Sequence, residues 1–223
     1  MIIAIDGPSG AGKGTLARRL ASFLDFAFLD TGLIYRALGK KCLEADVNLT
    51  DTKAVLSLAQ KLTSKDLEKP DLRTETVADV ASKVSVIPEV RDVLLDFQRH
   101  FAAMPPDGKK GSILDGRDIG TIICPNAEIK LYITADLKTR AQRRYKELRE
   151  NGIEVIYESV SRDLELRDAR DRARTIAPLK PAEDAYVLDT TGLTREEVFE
   201  TAWSYITSKA PALLDKPRVL EDE

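Results

Sequence analysis

The chain has 223 residues, of which 43% are hydrophobic, so it can bury a substantial core as one domain with insertions. Its 34 basic and 37 acidic residues leave a net charge of -3, which gives no overall attraction to nucleic acid or to an anionic membrane. No apolar run is long enough to span a membrane, and the apolar N-terminus is too short for a signal peptide, so we expect a cytoplasmic protein.

Helix and strand patterns alternate along the chain. Short apolar runs predict strands at 2–6, 26–30, 112–115, 129–133 and 186–189. Apolar residues at helical spacing predict helices at 13–24, 33–45, 51–62, 77–85, 90–103, 137–151, 158–175 and 194–209. We predict a polar linker at 64–72 and a loose tail after Pro211. The alternation indicates an α/β fold, with a parallel five-stranded central sheet and helices on both faces.

A glycine-rich segment joins the first predicted strand to the first predicted helix. It fits G-x-x-x-x-G-K in full, with glycines that let several backbone N–H groups point at one anion and a lysine that reaches the β- and γ-phosphates of a nucleotide. Because a strand precedes it and a helix follows, we interpret it as an ATP-binding P-loop rather than a turn without a ligand. The predicted ATP-binding residues are Gly7, Pro8, Ser9, Gly10, Ala11, Gly12, Lys13, Gly14 and Thr15.

The residue after the P-loop lysine departs from the general pattern. It is Gly14, where a Ser or Thr usually holds Mg²⁺, and the hydroxyl comes one position later, at Thr15. We therefore predict no direct protein ligand for the metal. Mg²⁺ is expected to arrive with ATP, held by phosphate oxygens and water, with Thr15 nearby.

Two further motifs follow predicted strands. The first, L-D-T-G-L-I-Y-R at 29–36, places a carboxylate, a hydroxyl, a phenol and Arg36 at the edge where parallel sheets bind ligands. Taken alone, it is equally well explained by a helix-capping turn. The second, L-D-G-R-D at 114–118, offers Arg117 for bidentate phosphate binding and Asp118 to hold an arginine in place.

A third motif lies on a charged helix at 162–174, which holds five arginines and no lysine. Arg167, Arg170, Asp171 and Arg174 fall at i, i+3, i+4 and i+7, so they share one predicted helical face. Arginine recognises planar anions bidentately, which favours an anion site over the alternative, a solvated helix held by i,i+4 ion pairs. The helix also suits a lid that closes over the donor.

Together these motifs predict a donor phosphate site that faces an acceptor phosphate site. Phosphoryl transfer depends on positioning and charge neutralisation more than on covalent chemistry. An acceptor that is itself a phosphate is already ionised, so no general base is required. This agrees with the chain, whose single histidine, His100, we interpret as a packing or surface residue. The two cysteines, Cys42 and Cys124, are expected to be reduced and buried.

Four motifs, taken in their order along the chain, resemble those of the bacterial cytidylate kinases, which are P-loop nucleoside monophosphate kinases. The motifs are D-G-P-S-G-A-G-K-G-T, L-D-T-G-x-x-Y-R, D-G-R-D-x-G-T and R-D-x-R-D-R-x-R. The resemblance spans residues 2 to about 205. It implies a three-layer P-loop kinase fold and transfer of the γ-phosphoryl group of ATP, with Mg²⁺, to CMP or dCMP in pyrimidine nucleotide metabolism. We expect a monomer that binds neither nucleic acid nor a membrane.

The resemblance also implies roles in the transfer itself. The catalytic residues would be Lys13, Arg117, Asp118 and Arg167. Asp118 would organise the arginines, and Arg167 would bridge toward the transferring phosphoryl group. Arg36 and Arg117 would hold the phosphate of the acceptor.

The acceptor-binding residues implied by the resemblance come from all three motifs and from the segment between them. Within this set, Ser82, Arg91 and Arg174 would face the cytosine, and Asp171 would hydrogen-bond the sugar hydroxyls. The set comprises Thr31, Tyr35, Arg36, Ser82, Arg91, Arg117, Asp118, Arg170, Asp171 and Arg174.

The resemblance divides the single domain into three parts: a core at about 1–36, 111–144 and 177–209, an insertion that binds the nucleoside monophosphate at about 37–110, and a lid at about 145–176. The family usually carries a strand-rich insert before a D-x-R-T-like segment, which lies here at 71–74. In this sequence that region is short and polar, so we expect the small sheet of the insertion to be reduced or absent.

Two other classes of function share some of these features. A kinase for another monophosphate or another anionic metabolite would carry the same P-loop, and a panel of acceptors separates these possibilities. A non-catalytic nucleotide sensor would bind ATP without turnover, but it needs no second phosphate site. A nucleic-acid binder is disfavoured, because four acids alternate with the five arginines of the charged helix.

Overall fold

The structure, a computed structural model, describes residues 1–213 apart from the side chain of Ser64. The predicted tail falls mostly at 214–223, outside the described residues. The strands are β1 (Ile2–Asp6), β2 (Ala27–Asp30), β3 (Ser112–Gly116), β4 (Ile129–Thr134) and β5 (Tyr186–Asp189). The helices are α1 (Lys13–Leu24), α2 (Thr31–Glu44), α3 (Thr52–Ala59), α4 (Ser64–Leu67), α5 (Glu75–Val84), α6 (Pro88–Ala103), α7 (Leu137–Glu150), α8 (Tyr157–Arg172) and α9 (Arg195–Lys209).

All five strands pair in parallel in one sheet of order β2-β3-β1-β4-β5, which confirms the predicted α/β fold. Side chains on a strand point alternately to its two faces, and β1 uses both. Ile3 and Ile5 pack against α1 and α9, whereas Ala4 contributes to a second cluster with α2, α3, α5 and α6. The central strand is therefore buried on both sides, and its carboxyl end carries the P-loop.

Three segments differ from the prediction in the region from 51 to 123. The predicted linker at 64–72 begins with α4, because the side chains of Thr63 and Asp66 form a capping box that starts a helical turn. The helix predicted to end at 62 ends at Ala59. The segment after β3 contains one π-helical turn at Ile119–Ile123, which the sequence pattern did not indicate.

The helix predicted to reach residue 175 ends at Arg172. The carbonyl of Asp171 accepts a hydrogen bond of 2.9 Å from the N–H of Leu179. In a continuing helix it would accept one from the N–H of residue 175 instead. The chain turns away at this point, so Arg174 lies outside the helix. The prediction of one helical face for all four residues of the third motif is therefore wrong.

Residues 37–110 form helices, and all five strands lie outside this region. Within residues 1–213, no helix combines the length and the apolar character needed to cross a bilayer. Cys42 and Cys124 are both buried and unbonded to each other, as predicted.

Candidate active site

A cavity of about 810 Å³ lies beyond the carboxyl ends of β1, β2 and β3. The P-loop forms its floor, and residues of α7, α8 and the start of α9 form its walls. Ligands of parallel α/β sheets bind at this edge, because the strands end there and helix N-termini point toward it. All the charged side chains considered next belong to this cavity or lie directly beside it.

The P-loop keeps its shape through glycines that other residues cannot replace. Gly12, directly before α1, has a φ of 95°, in the left-handed region that favours glycine. Gly7 has a φ of 146°, and a Cβ built on it would lie 1.9 Å from the carbonyl oxygen of Ile133 in β4. The loop can therefore approach the sheet closely and curl its N–H groups toward one anion.

Lys13 lies on the P-loop floor, almost completely buried. Its Nζ donates a hydrogen bond of 2.9 Å to the carbonyl of Pro8 and lies 3.9 Å from Asp115 Oδ1. Burial, together with the nearby charge of Arg117, lowers the pKa of Lys13 to about 8. Burial raises the pKa of Asp115 to about 6. Both shifts reflect the cost of burying charge, and a phosphate beside Lys13 would raise the pKa of the lysine again.

Asp6, the last residue of β1, fixes the segment after β3. Its two carboxylate oxygens accept hydrogen bonds of 2.8 Å each from the backbone N–H groups of Ile119 and Gly120. Burial raises the pKa of Asp6 to about 7. Asp6 thereby holds the π-helical turn, and with it Arg117 and Asp118, next to the P-loop.

Three of the predicted arginines, Arg36, Arg117 and Arg167, line the cavity together with Lys13. Arg117 is held by an ion pair of 3.0 Å from its Nε to Asp171. Arg167 keeps its Nε buried and without a hydrogen-bond partner among the described residues. Burial and the charge of Arg117 lower the pKa of Arg167 to about 9, and burial also lowers the pKa of Arg36. Four cations facing one cavity form a site for an anion of high charge.

A second predicted group forms a buried network beside the cavity instead of lining it. Arg91 makes an ion pair with Asp118, and Arg174 makes one with Asp171. Because Asp171 also binds Arg117, the network is joined to the cavity through one shared carboxylate. Ser82 is buried on α5, and its hydroxyl has no partner within residues 1–213. Buried polar atoms without partners indicate space for a ligand's hydrogen bonds.

The remaining predicted acceptor residues have different surroundings. The guanidinium of Arg91 lies 5.7 Å from the ring centre of Tyr35, and burial raises the pKa of Tyr35. The hydroxyl of Thr31 donates a hydrogen bond of 2.8 Å to the carbonyl of Asp115, so it supports the end of β3. Arg170 pairs with Asp79 of α5 at 3.0 Å, and its Nη1 is buried without a hydrogen-bond partner among the described residues.

Sequence reasoning missed Arg140 and Arg144, which connect α7 to the rest of the site. Arg140 is buried, donates a hydrogen bond of 3.1 Å to the carbonyl of Ser9 in the P-loop and pairs with Asp168 of α8 at 2.7 Å. Arg144 binds the carboxylate of Glu75 at the start of α5, with an Nε to Oε1 distance of 2.8 Å. The only sequence signal for them was a cluster of cations at 140–144 on a helix with a very polar surface.

The residues at the cavity fit a metal ion that arrives with its nucleotide. Thr15 is exposed on the cavity wall, and Asp115 lies near the P-loop lysine. Within residues 1–213 there is no cluster of three or more His, Cys, Asp or Glu side chains that would hold a metal alone. Mg²⁺ usually binds through phosphate oxygens and water with only one or two protein ligands, which these residues allow.

Comparisons with known proteins agree on one family. A sequence model described as cytidylate kinase matches residues 3–208. A cytidylate kinase of Paramagnetospirillum magneticum is 54% identical over 93% of this chain and 98% of the relative, and one of Rhodospirillum rubrum is 50% identical over 94% and 99%. The crystal structure of an uncharacterized protein from Eubacterium ventriosum shares the fold alone, with a TM-score of 0.54 and 18% identity over 93% of this chain and 98% of that one.

Proposed function

The chain belongs to the cytidylate kinase family, and from this premise we propose that it transfers the γ-phosphoryl group of ATP to CMP or dCMP, giving ADP and CDP or dCDP. The observation that carries the proposal is the convergence of Lys13, Arg36, Arg117 and Arg167 on one cavity. One phosphate group would not need four cations, whereas a triphosphate that faces a monophosphate would.

We assign the donor to the P-loop and the acceptor phosphate to the arginines. The P-loop N–H groups and Lys13 hold the β- and γ-phosphates. Arg36 and Arg117 orient the acceptor phosphate, and Arg167 neutralises the charge that builds up between the two substrates. Thr15 would be the hydroxyl nearest to a Mg²⁺ ion carried by ATP, and that ion would supply further charge neutralisation. No proton has to be removed from an ionised phosphate, which agrees with the exposed position of His100 on α6.

We assign the nucleoside of the acceptor to the buried network. Ser82, Arg91 and Arg174 would contact the cytosine, and Asp171 the sugar. The unpartnered hydroxyl of Ser82 and the unpartnered Nε of Arg174 support this assignment, because each has a hydrogen bond left to make. Arg170 also remains a predicted acceptor residue, since it pairs with Asp79 through Nη2 and its buried Nη1 has no partner among the described residues.

We further propose that 37–110 acts as the acceptor-binding insertion and 145–176 as the lid, on a core formed by the rest of the domain. The division is supported by α5 and α6 carrying base-contacting candidates, and by α8 carrying Arg167. A cytoplasmic monomer is also proposed, and the two buried, free cysteines support the reducing compartment.

An acceptor panel tests the function. The protein is incubated with ATP, Mg²⁺ and one of CMP, dCMP, UMP, AMP or GMP, and ADP release is followed against a reaction without acceptor. We expect CMP and dCMP to give the highest kcat/KM. The proposal is rejected if ADP forms no faster with CMP or dCMP than without an acceptor. A higher kcat/KM for another monophosphate would identify that compound as the substrate instead. The Arg174→Ala variant should lose cytidylate turnover while its KM for ATP stays close to that of the wild type.

A further inference from the structure

Ser85, the residue directly after α5, lies at the centre of the buried network. Its hydroxyl donates a hydrogen bond of 2.9 Å to the carbonyl of Ser82 and accepts one of 2.8 Å from the guanidinium of Arg174. Its backbone carbonyl accepts a hydrogen bond of 3.2 Å from Arg91. Ser85 is only 4% exposed, and it does not line the cavity.

Ser85 therefore contacts all three residues that we assign to the cytosine, and its hydroxyl keeps only one acceptor position unused. A serine hydroxyl has one donor and two acceptor positions. Its donor is used on the carbonyl of Ser82, and one lone pair accepts the hydrogen bond from Arg174. Arg174 is therefore held through its Nη2, which donates to both Asp171 and Ser85, while its Nε is without a partner among the described residues.

We infer that Ser85 is a positioning residue that sets base selectivity by holding the guanidinium of Arg174 in the orientation that recognises cytosine. The inference rests on the proposed function. A guanidinium carries donors only. Cytosine presents an acceptor at N3, where uracil presents an N–H, so a fixed guanidinium facing this edge favours cytosine and opposes uracil. A guanidinium free to rotate loses that discrimination, because it can turn to the carbonyl oxygens that both bases carry.

The variant Ser85→Ala removes the hydroxyl and keeps the backbone carbonyl that binds Arg91. We expect kcat/KM for CMP and dCMP to fall about tenfold, the effect of losing one hydrogen bond to a charged group, mainly through a higher KM. The value for UMP should change much less, so the ratio of CMP to UMP falls by nearly the same factor. The KM for ATP should remain that of the wild type, because Lys13 and the P-loop keep their contacts.

Ser112→Ala is the matched control. Ser112 is fully buried at the start of β3, and its hydroxyl also donates a hydrogen bond of 2.9 Å to a backbone carbonyl, that of Ala102. It makes no contact with an arginine of the site. Both variants should lower the thermal midpoint similarly, but Ser112→Ala should keep the ratio of CMP to UMP. If both variants change that ratio equally, the effect of Ser85 is only structural and the inference is overturned.

A double-mutant cycle shows whether Ser85 acts through Arg174. Adding Ser85→Ala to Arg174→Ala should cause no further loss of cytidylate turnover, whereas two independent residues would give additive losses and contradict the inference. Should Ser85→Ala fail to fold, Ser85→Cys keeps the size and weakens the hydrogen bonds, with a smaller change expected in the same direction. A wild-type protein that does not turn over CMP overturns the proposed function itself. A wild type that uses CMP, with an unchanged ratio in Ser85→Ala, overturns only this inference.

Discussion

The pKa of Lys13 depends on whether a phosphate lies beside its ammonium group. In the ligand-free site, burial and the positive charge of Arg117 lower its pKa to about 8. A bound triphosphate places negative charge next to the ammonium group and raises that pKa again. ATP binding therefore favours protonation of Lys13, and protonation of Lys13 favours ATP binding to the same extent.

We predict that the affinity for ATP falls as the pH rises above about 8. The protonated lysine is the form that binds phosphate, and it is the main form below this pH. Above this pH, each further pH unit lowers the affinity for ATP by up to about tenfold, because Lys13 must first take up a proton. The last ionisation of a phosphate, near pH 6, is complete in this range and does not contribute. Titration calorimetry between pH 7 and pH 9, in buffers with different heats of ionisation, measures affinity and proton uptake together.

The Lys13→Met variant is the control for this titration. It should bind ATP weakly at every pH and take up fewer protons, and any remaining dependence belongs to Arg167, whose pKa is lowered to about 9. Equal proton uptake by the variant and the wild type would show that Lys13 is not the titrating group.

At the scale of single residues, short motifs predict what lies next to a ligand and miss what supports it. Lys13, Arg36, Arg117 and Arg167 stand in compact motifs, and all four line the cavity. Ser85 and Arg140 have partners 89 and 131 positions away, at Arg174 and Ser9, so no local pattern contains their contacts. The helical spacing of Arg170 did not indicate its ion pair with Asp79, which lies on another helix.

At the scale of elements, helices whose ends are marked locally were predicted well. Helix α1 has the predicted bounds, because Gly12 precedes it and apolar residues follow at regular spacing. Helix α8 was predicted too long, because its end depends on a hydrogen bond between Asp171 and Leu179, and the charge pattern continues past it. The short helix α4 was missed because four residues, three of them polar, give no periodic signal.

Helices α7 and α8 pack on each other around Ala141, Leu148, Val160 and Leu164, so they form one unit. This unit touches α5 of the insertion through two ion pairs. Arg144 binds Glu75, and its guanidinium also donates a hydrogen bond of 3.1 Å to the carbonyl of Arg73. Arg170 binds Asp79 at 3.0 Å. The donor side and the acceptor side of the cavity are joined by these contacts.

We predict that Glu75→Gln lowers kcat about two- to fivefold and leaves the KM for ATP nearly unchanged. The carboxylate is 42% exposed, so the pair contributes only about 0.5 to 1 kcal/mol to closing the two units on each other. Steady-state kinetics with saturating CMP measures the effect. Exchanging the charges, with Glu75→Arg and Arg144→Glu together, should restore part of the lost rate.

The matched control for this prediction is Glu44→Gln. Glu44 pairs with Lys69 at 2.9 Å, and both belong to the insertion, so this ion pair does not reach α7 or α8. Its loss should leave kcat unchanged. Equal rates for the two variants would mean that the contact between α7 and α5 plays no part in turnover.

At the scale of the whole molecule, the alternation of helices and strands was enough to predict the sheet and its two covered faces. The order β2-β3-β1-β4-β5 could not be derived from that alternation, because it depends on which strands pair across the chain. The relative from Paramagnetospirillum magneticum matches over 98% of its length in an alignment of 208 residues, so it has no long additional insert either.

In this arrangement the residues assigned to the cytidine are closed off from solvent. Asp171 is 1% exposed, Ser82 3% and Arg91 7%, and none of them lines the cavity. An acceptor can reach them only if the insertion moves away from the unit formed by α7 and α8. Each catalytic cycle would then require the two bodies to separate and close again, as in other kinases that exclude water from the transfer.

We predict that a covalent bridge between α5 and α8 stops turnover. Asp79 and Arg170 face each other across the two bodies, so the variant with Asp79→Cys and Arg170→Cys can be joined by a short bis-maleimide. The native cysteines are buried and should not react, which treatment of the wild type checks. The same variant modified by N-ethylmaleimide carries equal substitutions without the bridge. Turnover of CMP should be lost in the bridged protein and kept in the modified control, since only the bridge prevents opening. Equal turnover in both would show that cytidylate reaches its site without separation of α5 from α8.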